Sequence, residues 1–146
     1  MPLKLTKESR FIKGRLTNGE EYGAVINGNI IPCGCYKNRK ELQEIIVPNG
    51  ITTIVSEAFM DCTSLTTITL PDSLQRIDFN AFVGCNALQK IILPSSLCGV
   101  EFWLDGRGVS KYTPSNPSSD ELIKYLKQGY AMDLYYKGEE REDYWK

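Results

Sequence analysis

Histidine is absent from all 146 residues. No imidazole can serve as a general base near neutral pH, and no Ser–His or Cys–His pair can form. The glycine signatures of phosphate-binding and dinucleotide-binding loops are also missing, and Gly106-Arg107-Gly108 is only a glycine-rich turn. The acid pairs Glu20/Glu21 and Glu139/Glu140 are adjacent, so in a strand their side chains diverge and make no glycosidase pair. No catalytic residue and no cofactor is expected, and the chain does not read as an enzyme. Long apolar runs are lacking as well. None approaches the roughly 20 residues that cross a bilayer. The N-terminus, MPLKLTKESRFIKGR, carries charges where a signal peptide would be apolar. A membrane is not expected as a partner, and the expected location is cytoplasmic.

An excess of either charge is lacking too, with 17 basic and 18 acidic residues. The formal net charge is −1, which gives no overall field to draw nucleic acid, so nucleic acid is not expected as a partner. The distribution is uneven. Lys4, Lys7, Arg10, Lys13 and Arg15 face a single acid, Glu8, within residues 1–18, whereas residues 19–105 are mildly acidic.

What the chain does have is a repeat of 23 residues. Leu42 to Ser64 reads LQEIIVPNGITTIVSEAFMDCTS, and Leu65 to Ala87 reads LTTITLPDSLQRIDFNAFVGCNA. Leu88 to Asp105 begins a third copy and then leaves the pattern. Seven of the 23 positions are identical in the two full copies, all of them apolar or proline. A fixed period of this size means stacked units, each too small to bury its own apolar face. Within a unit, Ile45 and Val47 alternate with Glu44 and Ile46 as in a short strand, which Pro48 ends. The spacing of Ile51, Ile54, Ala58, Phe59 and Cys62 predicts a tight helical return.

Shifting the first copy back by 23 places Ile31 under Ile54, Cys35 under Ala58 and Tyr36 under Phe59. Residues 19–41 thus read as a degenerate coil with a strand near Glu21 to Ile26. Asn18-Gly19 predicts a hairpin in which Phe11 to Leu16 pairs with that strand and covers the first coil. On this register Cys35, Cys62 and Cys85 are small buried side chains. A disulfide between Cys62 and Cys85 is open on stacking distance, but free thiols are favoured in a cytosolic protein. Cys33 and Cys35 form a C-x-C without a second pair, so no metal site is expected. Cys98 falls at a variable surface position.

The pattern L-x-x-I-x-(L/V)-P-x-x-(I/L)-x-x-I-x-x-x-A-F-x-x-C resembles the bacterial surface antigen A (BspA) type of leucine-rich repeat, specifically over 42–87 and partially over 88–100. The resemblance implies an α/β repeat: a short right-handed leucine-rich-repeat solenoid with a parallel sheet on one face. It also implies protein binding or adhesion and no shared catalytic site. The expected organisation is an N-terminal capping strand at 1–18 and a solenoid at 19–105 (degenerate at 19–41, full at 42–64 and 65–87, partial at 88–105). A C-terminal cap follows at 106–146. Ser118 with Glu121 forms a capping box for a helix over about 119–128 that stops at Gly129. The last stretch, from Tyr130, is either a strand and tail that fold back or a partly disordered segment.

Outward strand positions stack 23 apart, giving one column of Glu44, Thr67 and Lys90 and a second of Ile46, Thr69 and Ile92. Exposed isoleucines on a parallel sheet point to a covered or binding face. Phe79 and Trp103 stand in further columns, and packing of Phe79 on Phe102 is expected as part of the C-terminal cap. Tyr135 and Tyr136 lie in the aromatic tail. These ten residues are the candidate protein-binding set. The leading reading is a small non-catalytic module that binds a protein partner with its sheet face and tail. An inhibitor or decoy that blocks another protein's active site or nucleic-acid groove, and a fragment of a surface adhesion array, are the alternatives.

Overall fold

The 23-residue period builds two parallel ladders. A computed structural model describes residues 9–104, 107–112 and 119–140; the expectations for Gly106, for Ser118 and for the tail beyond residue 140 lie outside them. In the first ladder, β4 (Leu42–Ile46), β6 (Thr67–Thr69) and β8 (Lys90–Ile92) pair in parallel, with Ile45 beside Ile68 and Ile68 beside Ile91. In the second, β3 (Ile30–Ile31), β5 (Thr53–Ile54) and β7 (Arg76–Ile77) pair in parallel, with Ile31, Ile54 and Ile77 in register. All six isoleucines are buried and belong to one hydrophobic core. Each one fully removed from water contributes about 1.5–3 kcal/mol. Tyr36, Phe59 and Phe82 stack through the same core, their ring centroids 5.2 Å apart at each step.

The return segments are not helical. They are runs of turns with left-handed residues at 23-residue intervals: Gly34, Glu57 and Asn80 in one series, Asn38, Asp61 and Gly84 in the other. Each left-handed residue breaks the helical path and turns the next amides toward the neighbouring coil. Tyr36 N–H donates to the Ala58 carbonyl at 2.8 Å, Phe59 N–H to that of Ala81 at 2.8 Å, and Asp61 N–H to that of Val83 at 2.9 Å. Bonds between coils replace the bonds within a helix, and the 3–4 spacing of apolar residues is met by turns instead.

Both ends of the array depart from simple stacking. The Asn18-Gly19 turn joins β1 (Ser9–Leu16) to β2 (Glu21–Asn27) in an antiparallel hairpin. However, β2 does not lie beside β4. The first sheet runs β2-β1-β4-β6-β8, with β1 inserted antiparallel between the degenerate coil and the first full one. Gly14 permits this, because it sits opposite Ile45 and a Cβ there would stand 2.1 Å from the Glu44 carbonyl oxygen.

At the other end, β9 (Leu97–Leu104) does not stack on β7. The second sheet runs β10-β9-β11-β7-β5-β3, where β10 is Arg107–Tyr112 and β11 is Ala131–Tyr136. The final stretch is thus a strand as far as Tyr136, inserted antiparallel between β7 and β9. It is fixed by the ion pair of Arg76 with Asp133 at 3.1 Å and by Leu134 N–H donating to the Gln75 carbonyl at 2.9 Å. β1 and β2 pair across 18/19, and β9 and β10 pair across 105/106. Between β10 and β11, α1 (Ser119–Lys127) buries Leu122, Ile123 and Leu126 and ends where Gly129 turns left-handed.

Candidate protein-binding face

The outer face of the first sheet carries the two columns expected from the repeat. Residues 23 apart lie side by side: Glu44, Thr67 and Lys90 in one row, Ile46, Thr69 and Ile92 in the next. Their partners Ile45, Ile68 and Ile91 fill the core, so strand alternation sends these rows outward. Ile46 is 49% exposed and Ile92 43%, with the half-buried Thr69 between them.

The inserted hairpin extends both rows. Lys13 pairs with Ile46 on one side and Gly23 on the other; Arg15 pairs with Glu44 and with Glu21. Phe11, paired with Val25, is 53% exposed, the largest exposure of any big apolar side chain described. Phe11, Lys13, Arg15, Val25, Glu44 and Ile46 help line a concavity of about 760 Å³. The Arg15–Glu44 pair is long, 3.9 Å, and open to solvent, so it contributes little to stability and leaves both groups available. The surface is thus apolar patches interleaved with charges of both signs. Phe11, Lys13, Arg15 and Val25 were not among the expected set. Their signal was the alternation of Phe11, Lys13 and Arg15 with Ile12 and Leu16, but nothing in the local sequence said that this strand would join the repeat sheet.

The remaining candidates fall elsewhere. Trp103 lies in β9 of the second sheet, half-buried, with its indole Nε1 buried and lacking a partner among the described residues. Phe79 is half-buried in the turn after β7. Its expected partner Phe102 is fully buried and packs its ring on Tyr125 at 4.3 Å. Tyr135 and Tyr136 are core residues, 8% and 5% exposed, because β11 is wedged between two strands. The Tyr136 hydroxyl donates to the Leu74 carbonyl. Neither tyrosine can anchor a partner.

Cys33 and Cys35 are exposed, Cys62 and Cys85 buried and Cys98 intermediate, and none is joined in a disulfide. Cys62 and Cys85 are buried, and each thiol donates to a carbonyl of the preceding coil: Tyr36 at 3.1 Å and Phe59 at 3.0 Å. The neighbouring Cys62 and burial push the Cys85 thiol far above the usual thiol range. Cys35 differs from its buried counterparts Ala58 and Ala81 in being exposed, since it belongs to the terminal coil of the ladder. No group of three or more metal-ligating side chains occurs among the described residues, and no described helix is long and apolar enough to cross a membrane.

Two parallel ladders at a fixed period, with Leu, Ile, Phe and Cys at constant inner positions, define the leucine-rich-repeat class. Residues 29–101 match the family model described as BspA type leucine rich repeat region (6 copies), and with half its length so matched the chain belongs to that family. A leucine rich cell surface protein from Faecalibacterium prausnitzii A2-165, known from its crystal structure, is 33% identical over 48% of this chain and 18% of its own, with a TM-score of 0.46. The matched part spans less than a fifth of that protein's length. No curated protein matches the chain.

Proposed function

We infer that the repeats form a short right-handed solenoid closed by the β1–β2 hairpin at one end and by β9, β10, α1 and β11 at the other, and that it works as a protein-binding module. The observation that carries this reading is the open outer face of the first sheet, where Phe11, Ile46 and Ile92 stand exposed beside Lys13, Arg15, Glu44 and Lys90. Isolated exposed apolar groups are common on any protein. Three of them on one sheet face, two in one register row, support a binding surface rather than scatter. The family's association with protein binding and adhesion supports the same reading. Its interface uses sheet-face residues and leaves Tyr135 and Tyr136 to the core. The mixed charges of the face give no particular support to a decoy of nucleic acid.

The test is a double substitution, Ile46→Lys with Ile92→Lys. Both side chains are about half exposed, so the melting temperature should stay within a few degrees of the parent. Partner capture measured by pull-down with the parent and the variant side by side should drop at least about tenfold if two anchors worth about 1 kcal/mol or more are lost. Equal capture by both proteins, or capture by neither, defeats the reading.

A further inference from the structure

β2 ends the first sheet with a free edge. In its hairpin with β1, Leu16 N–H donates to the Glu20 carbonyl at 2.8 Å. Antiparallel ladders alternate, so counting from this pair it is Tyr22, Ala24 and Ile26 that exchange bonds with Gly14, Ile12 and Arg10. The backbone N–H and C=O groups of Glu21, Gly23, Val25 and Asn27 point away from β1, and none has a backbone partner among the described residues. An open edge of this kind is a template for another strand, and proteins guard such edges with lysine, proline or a bulge. β2 reads EYGAVIN, without lysine or proline, and its pairing with β1 runs unbroken from Asn27 to Glu21. By contrast β8, the opposite edge of the same sheet, is three residues long and includes Lys90. The edge also stands clear of the rest of the fold. β4 and β5 belong to one repeat unit, and the first sheet continues two strands past β4 where the second continues only one past β5. β2 thus overhangs the second sheet.

We propose that β2 pairs with β2 of a second copy, antiparallel about a two-fold axis at Ala24, and joins the two first sheets into one. This does not rest on the sheet-face reading. The strand is its own complement, which selects the occupant and sets the register. With Ala24 on the axis, each Gly23 faces Val25 of the other copy and each Glu21 faces Asn27. All four have free backbone groups, so the two strands exchange about eight bonds, two for each facing pair. The one charge of β2 meets a neutral amide. Asn27 Oδ1 already accepts the Ser9 hydroxyl at 2.8 Å, which leaves Nδ2 to donate to the incoming carboxylate. Val25 of the other copy stands beside Gly23, which adds no side chain of its own to the concavity bordered by Phe11, Lys13 and Ile46. Centring the axis on Gly23 would set the Glu21 carboxylate against Val25, and centring it on Val25 would carry Glu21 past the end of the partner strand. The contact is a strand edge rather than a packed face, so the dimer is a weak one.

The experiment is sedimentation of the full chain with a reductant present, which excludes dimers linked through the native thiols. From about 1 μM to about 500 μM, the range of a small interface, the mass should rise from 16.5 kDa toward twice that value. Gly23→Pro removes one outward N–H and leaves the ladder to β1 intact, and a Cβ there would meet only the Ile12 carbonyl oxygen, at 4.0 Å. This variant should melt within a few degrees of the parent and stay at 16.5 kDa. Val25→Lys puts back the missing edge lysine and should do the same, which keeps the test open if proline weakens the fold. The register has its own readout. Ala24 meets its counterpart as a non-hydrogen-bonded pair, about 4.5 Å between Cα atoms and within reach of a disulfide. Ala24→Cys, oxidised without reductant, should give a bond between residue 24 of the two copies in a peptide map, and Val25→Cys should give none between its own pair. A chain that is monomeric throughout overturns the proposal, also when its edge takes up an extended segment of another protein instead. So does a dimer that Gly23→Pro and Val25→Lys both leave intact, or one in which Ala24→Cys fails to link.

Discussion

At Gly14 a methyl group has nowhere to go. Its carbon would meet the Glu44 carbonyl oxygen at 2.1 Å, and that oxygen belongs to the backbone of a paired strand and cannot step aside cheaply. Gly14→Ala should therefore force β1 away from β4 and destabilise the fold by about 1–3 kcal/mol, the usual cost of overpacking. Urea melts of parent and variant measure it, and an unchanged midpoint would mean that β1 is not held against β4 as described. Cys85 gives a second prediction at this scale, on pH. In the unfolded chain its thiol ionises near the ordinary value of about 8.5. In the folded chain its neighbour Cys62 and burial hold it protonated well beyond that. The stabilisation is complete below the unfolded value and is lost as pH rises above it, by at most about 1.4 kcal/mol per pH unit. The same contact lowers the Cys62 thiol and acts with the opposite sign, so the Cys85 part is isolated by substitution: Cys85→Ala should make the slope of unfolding free energy against pH less negative in alkali. A slope identical in both proteins would show that this thiol is not shielded.

Among the elements, two insertions follow one rule. β1 enters the first sheet between β2 and β4, and β11 enters the second between β7 and β9, each antiparallel to both neighbours. Each end of the array is thereby tied to a segment distant in sequence. For β11 this predicts slow hydrogen exchange near the C-terminus: the amides of Met132 and Leu134 should be protected about as well as those of Ile54 and Ile77. Rapid exchange there, with β7 still protected, would show β11 undocked. This is also where the sequence stopped being legible. Ile45, Ile68 and Ile91 announced the first ladder, because apolar residues at a constant interval have only one economical arrangement. The row of Ile46 and Ile92 followed from the same register and is exposed as expected. The alternation along β1 announced a strand and Asn18-Gly19 a hairpin, but periodicity is local and does not choose a neighbour. The close approach uses Gly14, whose role is visible only once β4 lies beside it with the Glu44 carbonyl against its Cα. Tyr135 and Tyr136 misled for a related reason. Aromatic residues among charges look like an exposed tail until Arg76 and Asp133 draw the strand between β7 and β9. The return segments were misread because 3–4 spacing fits both a helix and a chain of turns, and non-glycine left-handed residues such as Glu57 and Asp61 give no warning in sequence.

For the molecule as a whole, the backbone bonds between return segments tie each coil to the next, beside the tight-turn bonds each coil makes within itself. Backbone donors at Tyr36, Phe59 and Asp61 all point to the following unit, and the thiols of Cys62 and Cys85 point to the preceding one. A unit that satisfies its neighbours in this way can be repeated without redesign, since its two faces carry matching donors and acceptors. Duplicating Leu65 to Ala87 directly after Ala87 should therefore give a folded chain. The inserted copy would meet α1 through its own equivalent of Asn80, whose amide donates to the Gly129 carbonyl at 3.0 Å in the parent. The 23 added residues lengthen a 146-residue chain by about one-sixth, and because the urea m-value scales with the surface exposed on unfolding it should rise by about the same fraction. Adding one extra residue within the strand of the inserted copy, so that 24 residues are added instead of 23, puts Ile68 outside and Thr67 or Thr69 inside, so that chain should fail to fold cooperatively. A frame-kept duplication that unfolds, or a frame-shifted one that melts like the parent, would show that the ends rather than the 23-residue register hold the molecule together.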